Sequence, residues 1–292
     1  MNSEAQATPC TYVRRDGEQC QEECHEGSRF CYWHNADIDK SGHVLKTKLE
    51  AWAKTGKPMD GFQLKGVDLS NINLVRQGSK LGYSFLDADL YHANLSHSHL
   101  FSLDLRGSSL MKADLSASNM HCVNLQGCNL LGVDISRCRL ENIQWGKAVL
   151  QETLARKAFA AREPQLANSH CQEAEEVYRN IRKSCEKQGV FETAGYFFHR
   201  EMVMRRYKMP MSSLARLISK MVDLFCGYGE IPMRVVSFSM TIILLCSIAY
   251  FLLGISSAGE LIGFNISASF GDNLLVWANC FYYSVVTFTT LG

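Results

Sequence analysis

Near the N-terminus, four side chains carry the donor types that bind a soft divalent metal: Cys10, Cys20, Cys31 and His34. Zinc takes four thiolate or imidazole donors at tetrahedral corners. Cys31 and His34 form a Cys-x-x-His clip that one tight turn can present. Cys10 and Cys20 can complete the set from a hairpin turning at Asp16-Gly17, a favoured turn dipeptide. Cys24 and His25 are spare donors in the same stretch. Four protein donors would close the coordination sphere, so a structural zinc is expected here and not a catalytic one. A segment this short has no core of its own without such a staple. The alternative is a reduced tail whose cysteines are incidental.

The opposite end offers a different chemistry. Phe281-Tyr-Tyr-Ser-Val-Val-Thr-Phe-Thr-Thr-Leu-Gly292 is apolar and aromatic, and it gathers Thr287, Thr289 and Thr290 before a glycine. A water-soluble core helix gains little from threonines packed so closely, whereas a pore lining could use each oxygen. The segment before it belongs in a bilayer. The 25 residues between Arg234 and Glu260 carry no charge. Val235 to Ile255 alone would rise about 31 Å at ~1.5 Å per residue, enough to cross a hydrocarbon core. Arg205, Arg206, Lys208, Arg216, Lys220 and Arg234 precede the span and no Lys or Arg follows it. The positive-inside rule then places the N-terminal domains in the cytoplasm. Glu260 to Asp272 becomes an outer loop. Asn273 to Thr290 either crosses a second time or dips in as a re-entrant pore helix, and the threonines favour the second reading.

Between these ends runs a repeat. Apolar residues recur at Leu64, Leu69 and Leu74, slip by one residue, and resume every five residues from Phe85 to Trp145. A small or β-branched residue stands two places before most of them, as at Ala88, Ala93, Ser98, Ser108, Ser118, Cys128 and Cys138. Asp or Asn often fills the position between. Five residues turn an α-helix by about 140° beyond one full turn, so no stripe forms. On a flat strand an odd spacing alternates faces. The pattern works if the chain turns a corner every five residues and points the central residue and its small partner inward, with Asx and glycine at the corners. His92, His97, His99 and His121 then read as solvated side chains, and Cys128 and Cys138 as small core residues on opposite walls.

Beyond Lys147 the pattern becomes helical: Ala148 to Arg162, an interruption at Pro164, then Gln172 to Gln188 and Phe191 to Tyr207 joined at Gly189. Gly189, Phe191, Ala194 and Phe198 fall at spacings similar to the second half of a tetratricopeptide repeat, and an ordinary amphipathic hairpin fits equally well.

These features resemble known families. Residues 61–146 resemble pentapeptide repeats, which implies a four-sided right-handed β-helix of about four coils. The N-terminal pattern is similar to short Cys/His zinc-binding segments at the ends of bacterial proteins, although nine residues separate Cys10 from Cys20. The run Gly189 to Met202 resembles the linker of pentapeptide-repeat ion channels. Thr290-Leu291-Gly292 matches the first three positions of Thr-x-Gly-Tyr-Gly, the filter of two-transmembrane potassium channels. That resemblance implies four copies forming a homotetramer, with backbone carbonyls and the Thr290 hydroxyl replacing the hydration shell of permeant potassium. It also implies a filter cut short, since the last two filter positions and an inner helix do not follow. A truncated channel product or a non-conducting remnant are the two expectations.

The expected architecture is multidomain. A Cys/His segment (1–40) precedes a quadrilateral β-helix (61–146). A helical connector (147–233) leads to a transmembrane helix with a pore helix and partial filter (234–292). The function expected is a potassium-selective channel subunit with a cytoplasmic repeat domain. The alternative is a membrane-anchored scaffold whose repeat binds a cytoplasmic protein. A formal net charge of +1 disfavours a general nucleic-acid binder. Seven acids balance seven bases between Gly61 and Gly146, which disfavours DNA mimicry. The polar stretch Met1 to Pro9 lacks the apolar core of a secretory signal, so the twelve cysteines are expected reduced. No nucleophile–base pair or phosphate loop suggests an enzyme.

Overall fold

The computed structural model describes residues 8–42, 44–257 and 260–289. They form two compact units, one reaching Met211 and the other beginning at Ser212. The segment grouped above as a connector is divided between them.

The centre of the first unit is a stack of parallel bridges. Ser84 pairs with Asp104, Asp104 with Asn124 and Asn124 with Gln144, each step 20 residues long. Equivalent 20-residue ladders run from Asp89 to Ser109 to Asn129, from Asn94 to Asp114 to Asp134, and from His99 to Asn119 to Arg139. Four walls of five residues therefore make each coil. Leu90, Leu95, Leu100, Leu105 and Leu110 point inward and are buried, as are Ala88, Ala93 and Ser98 beside them.

The corners explain the Asx positions. Asp89 Oδ1 accepts from the Tyr91 amide, Asp114 Oδ1 from Ser116 and Asp134 Oδ1 from Ser136, each within 2.9 Å. These are Asx turns, which satisfy an amide that the corner leaves unpaired. The left-handed residue at each corner lies elsewhere in the repeat and is often not glycine: His92, Lys112, Ala117, Cys122 and Arg137 all have φ near +60°.

The slip after Leu74 is larger than the sequence pattern suggests. Gln63 pairs with Asp89, Asp68 with Asn94 and Asn73 with His99, a step of 26 residues. Asn73 and Ser84 stand on successive walls eleven residues apart instead of five, so six residues bulge out of one corner. Six and one leave the same remainder on division by five, so periodicity alone cannot separate them.

Both ends of the stack are covered. At the start, helix α1 (Leu45–Lys54) buries Leu45, Leu49 and Ala53. Lys46 Nζ donates to the Ser70 carbonyl at 3.0 Å, and Glu50 Oε1 accepts from the Asn73 amide at 2.9 Å. At the far end lie α2 (Leu150–Ala160), α3 (Pro164–Lys187) and α4 (Phe191–Tyr207). Asn180 Nδ2 donates to the Val133 carbonyl at 2.6 Å, and Gln188 Oε1 accepts from the Leu140 amide at 3.3 Å. Pro164 opens α3 instead of breaking a helix. At the first helical position its missing N–H costs nothing, so α3 starts eight residues earlier than expected. Gly189, with φ of +75°, makes the expected joint between α3 and α4.

The second unit holds α5 (Leu214–Cys226), a 3-10 turn (Gly227–Gly229), α6 (Pro232–Leu253), the hairpin β1 (Ile255–Ser257) and β2 (Glu260–Ile262), and α7 (Phe270–Thr289). Pro232 at the start of α6 again sets the first turn. Ser269 Oγ accepts from the Asp272 amide at 3.2 Å and starts α7.

Candidate functional site

The strands around the first cysteines form the hairpin expected from Asp16-Gly17. Val13 pairs with Gln19 and Pro9 with Glu23, both antiparallel, and Gly17 turns with φ of +86°. The pairing sets Cys10 and Cys20 on facing strands. The Cys-x-x-His turn closes with the His34 amide donating to the Cys31 carbonyl at 3.1 Å. As a result the ligand atoms of Cys10, Cys20, Cys31 and His34 all lie within 4.8 Å of one another.

The spacings suit a tetrahedral ion. His34 Nδ1 stands 3.5 Å from Cys10 Sγ and 3.1 Å from Cys31 Sγ, and Cys20 Sγ lies 4.0 Å from Cys31 Sγ. Around zinc with Zn–S bonds of ~2.3 Å, sulfur edges would be about 3.8 Å. All twelve cysteines are free thiols. Cys24 is left outside the cluster, with its thiol donating to the Pro9 carbonyl at 3.3 Å. His25 is outside it too.

The imidazole is oriented from behind. His34 Nε2 donates to the Asp60 carbonyl at 2.8 Å, which puts the proton on that nitrogen and leaves the Nδ1 lone pair facing the thiols. Tyr12 stacks on the ring at 4.0 Å and Phe62 meets its edge at 5.5 Å. Burial lowers the pKa of His34, which favours the neutral ligand form. Burial also pushes the Cys31 thiol up to about 12, against the amides of His34 and Trp33 that donate to its sulfur. Cys20 is raised by burial as well, against the Glu22 amide. Amides aimed at sulfur favour thiolate and complete a ligand set. A cavity of about 180 Å³, lined in part by Cys20, Cys31, His34 and Trp52, reaches the cluster.

Sequence reasoning grouped the four donors that the fold brings together but missed what holds them. Asp60 Oδ1 accepts from Ser84 Oγ at 2.6 Å and from the Leu86 amide at 2.9 Å. Trp33 stacks on Phe62 at 4.8 Å, and its carbonyl accepts from the Gln63 amide at 2.9 Å. Arg15 of the hairpin pairs with Asp87. The donor cluster is thus fastened to the first coils of the β-helix. Only the lone Asp-Gly following Met59 hinted at it, and nothing marked that aspartate as a bridge.

The repeat histidines do not join a site. His92, His97 and His99 are exposed, and His121 stacks on Phe101 one coil earlier.

In the second unit, α6 is 22 residues long, about 33 Å at ~1.5 Å per residue. Among the described residues it is the one helix long and apolar enough to cross a membrane. Leu245, Leu252 and Leu253 on it are exposed. α7 returns beside it: Ser284 Oγ donates to the Ile243 carbonyl at 2.8 Å, and Tyr283 meets Tyr250 edge-on at 5.4 Å. Ser247, Cys280 and Ser284 are buried at the crossing, where small side chains allow close approach. Thr287 and Thr289 donate to the carbonyls of Tyr283 and Val285, four residues back, at 2.8 Å each. Those two hydroxyl protons are therefore spent within the helix. Thr290, Leu291 and Gly292 lie outside the described residues.

Comparison with known proteins bears on the repeat. The family model described as pentapeptide repeats (8 copies) matches residues 88–130 and 108–143. Three solved structures are similar. The pentapeptide repeat protein Rfr23 from the cyanobacterium Cyanothece 51142 is 25% identical, over 31% of this chain and 56% of that one, with a TM-score of 0.26. HetL from Nostoc sp. strain PCC 7120, described as involved in heterocyst differentiation regulation, is 26% identical over 31% of this chain and 39% of that one, at 0.22. A further Nostoc pentapeptide repeat protein, alr5209, is 20% identical over 35% and 76%, at 0.22. The chain thus spans about half the length of the first two structures it resembles. No curated protein sequence matches. Inward leucines at every fifth residue, 20-residue ladders and the family match agree that residues 88–143 are a run of pentapeptide repeats.

Proposed function

We propose that the chain is a non-enzymatic, membrane-anchored protein that presents a zinc-stapled pentapeptide β-helix in the cytoplasm. We propose further that its last residues enter the pore of a potassium-selective channel built from four copies. The observation that carries the anchor is α6. Its apolar side chains face outward and no charge interrupts residues 235–259. Water would oppose such a surface, and a bilayer would cover it. The pore reading is supported by the match of Thr290-Leu291-Gly292 to a filter opening, and by the apolar helix α7 that leads toward it.

A second reading has its own support. α7 is continuous through Thr289, and two of its threonines satisfy their hydroxyls on their own helix, as in a plain returning helix. In that reading the chain is a scaffold and the β-helix binds a protein partner. A peptide tag placed after Gly292 separates the two. In a re-entrant pore it stays inaccessible to cytosolic labelling reagents, whereas a second complete crossing exposes it to them. Cytosolic exposure, together with absent potassium flux from loaded liposomes, would leave only the scaffold.

Cys10, Cys20, Cys31 and His34 would hold zinc as a structural ion. Four protein donors leave no open position, so the ion would cross-link the hairpin to the Cys-x-x-His turn. Buried neutral thiols would lose their protons on binding. Purified full-length protein is expected to contain one equivalent of zinc, and Cys31→Ser to lose most of it. Unchanged metal content in that variant rejects Cys31 as a ligand.

A further inference from the structure

Helix α5 carries an apolar face that, among the described residues, is covered only at Phe225. Leu214, Leu217, Ile218, Met221, Val222 and Leu224 are all exposed, and none of its thirteen residues is buried. At ~100° per residue these positions, with Phe225, span an arc of about 160°. Arg216, Ser219, Lys220 and Asp223 occupy the opposite side. The division is the one expected of a helix lying flat at a bilayer surface.

The helix is also braced against the start of α6. Gly227 turns the chain with φ of +55°, and a Cβ there would meet Ile231 at 2.8 Å. Ser219 Oγ and the Tyr228 hydroxyl are 2.6 Å apart. Arg234 donates to the Asp223 carbonyl at 2.6 Å and pairs with its carboxylate at 2.9 Å. Phe225 packs on Phe238 with ring centres 4.2 Å apart. The brace consumes one of two acids in the region. From Ser212 to Arg234 there are three bases (Arg216, Lys220, Arg234) against Asp223 and Glu230.

The geometry points to α5 as a lipid-surface helix, with its leucine face in the acyl boundary of a bilayer and its basic neighbourhood on anionic headgroups. The inference rests on the reading of α6 as a membrane span. Lipid is favoured over a protein partner for two reasons. The exposed apolar face continues, through a five-residue elbow, into the exposed apolar surface of α6, so one solvent covers both. The net charge of residues 212–234 is positive, with Arg216 and Lys220 on the polar side of α5, which complements an anionic leaflet.

Photolabelling of the full-length protein tests this. A benzoylphenylalanine is placed at Leu217, at Lys220 or, within α6, at Leu245. Each protein is reconstituted in phosphatidylcholine vesicles with and without phosphatidylglycerol. Lipid adducts are expected at Leu245 in both, and at Leu217 at roughly fivefold or more the yield at Lys220. Arg216→Glu with Lys220→Glu is expected to lower the Leu217 adduct by about threefold or more in the anionic vesicles only. Adducts at Leu245 without any at Leu217 overturn the inference and leave the membrane span standing. Loss of adducts at both removes the span itself. Protein adducts at Leu217 assign the face to a second chain and reject lipid. Equal Leu217 yield in both vesicle types rejects the anionic headgroup.

Discussion

Leu110 in the β-helix and Leu245 in α6 are the same side chain in opposite settings: 0% and 62% exposed. The β-helix builds its own apolar interior by turning the chain every five residues. α6 builds none and leaves its leucines to the surroundings. The handling of charge differs in parallel. In the first unit, Glu152 is buried but bound by Arg156, Arg200 and the Tyr178 hydroxyl, which tie α2, α3 and α4 together. In α6 no charge follows Arg234. A unit that folds in water can bury a carboxylate if it supplies partners, whereas a span in lipid excludes the charge altogether.

The sharpest test of that contrast is at Glu152. Glu152→Ala leaves Arg200 against an apolar cluster without its partner, and is expected to destabilise the first unit by about 3–5 kcal/mol. Denaturant unfolding followed through Trp33, Trp52 and Trp145 would measure it. A loss below about 1 kcal/mol would mean that water already reaches the network, as it does at surface pairs. The matching change in the other unit is Leu245→Arg. It should cost about 2.5–3.5 kcal/mol of membrane insertion and shift the protein out of the membrane fraction, with no effect on unfolding of the first unit.

The leucines themselves come next. Leu110→Ala opens a cavity inside the stack and is expected to cost about 2–5 kcal/mol. Leu245→Ala removes an outward side chain and should change protein stability by no more than about 0.5 kcal/mol. Comparable losses at both sites would show that α6 is covered by protein in the assembled state.

The same contrast explains how much could be read from sequence. A period of five has one economical solution, so the inward residues from Phe85 to Leu140 and the Asx corners were legible. The six-residue bulge after Asn73 was not, because it preserves the remainder that the pattern reports. The Cys/His cluster was legible by residue type. Its support, from Asp60, Trp33 and Phe62, was not, since it depends on folding two segments together. Helix α1 went unseen because its apolar stripe, Leu45, Leu49 and Ala53, is too short to stand out from the polar residues around it. α6 was legible as a helix long and apolar enough to cross a membrane, because that test needs only length and lack of charge.

Within the β-helix the smallest effect is expected where it uses two residue types interchangeably. Along one wall Ser98, Ser118 and Cys138 stack at 20-residue steps and are all buried. The Ser118 hydroxyl donates to the Leu95 carbonyl at 2.6 Å and accepts from the Ser98 amide at 3.0 Å. Cys138 repeats the arrangement one coil later: its thiol donates to the Leu115 carbonyl at 2.8 Å, and the Ser118 amide donates to its sulfur. That sulfur–oxygen separation is one that a hydroxyl adopts without crowding. Burial pushes the Cys138 thiol up to about 11, so the group stays a neutral donor and a poor nucleophile at physiological pH. Cys138→Ser should therefore change unfolding free energy by less than about 1 kcal/mol, in the direction of stabilisation if the hydrogen bond dominates. Ser118→Ala, which leaves the Ser98 amide without its acceptor, should cost about 1–3 kcal/mol. If Cys138→Ser costs as much as Ser118→Ala, the wall values the bulk of sulfur over its hydrogen bond. The ladder would then be a packing device and not a polar one.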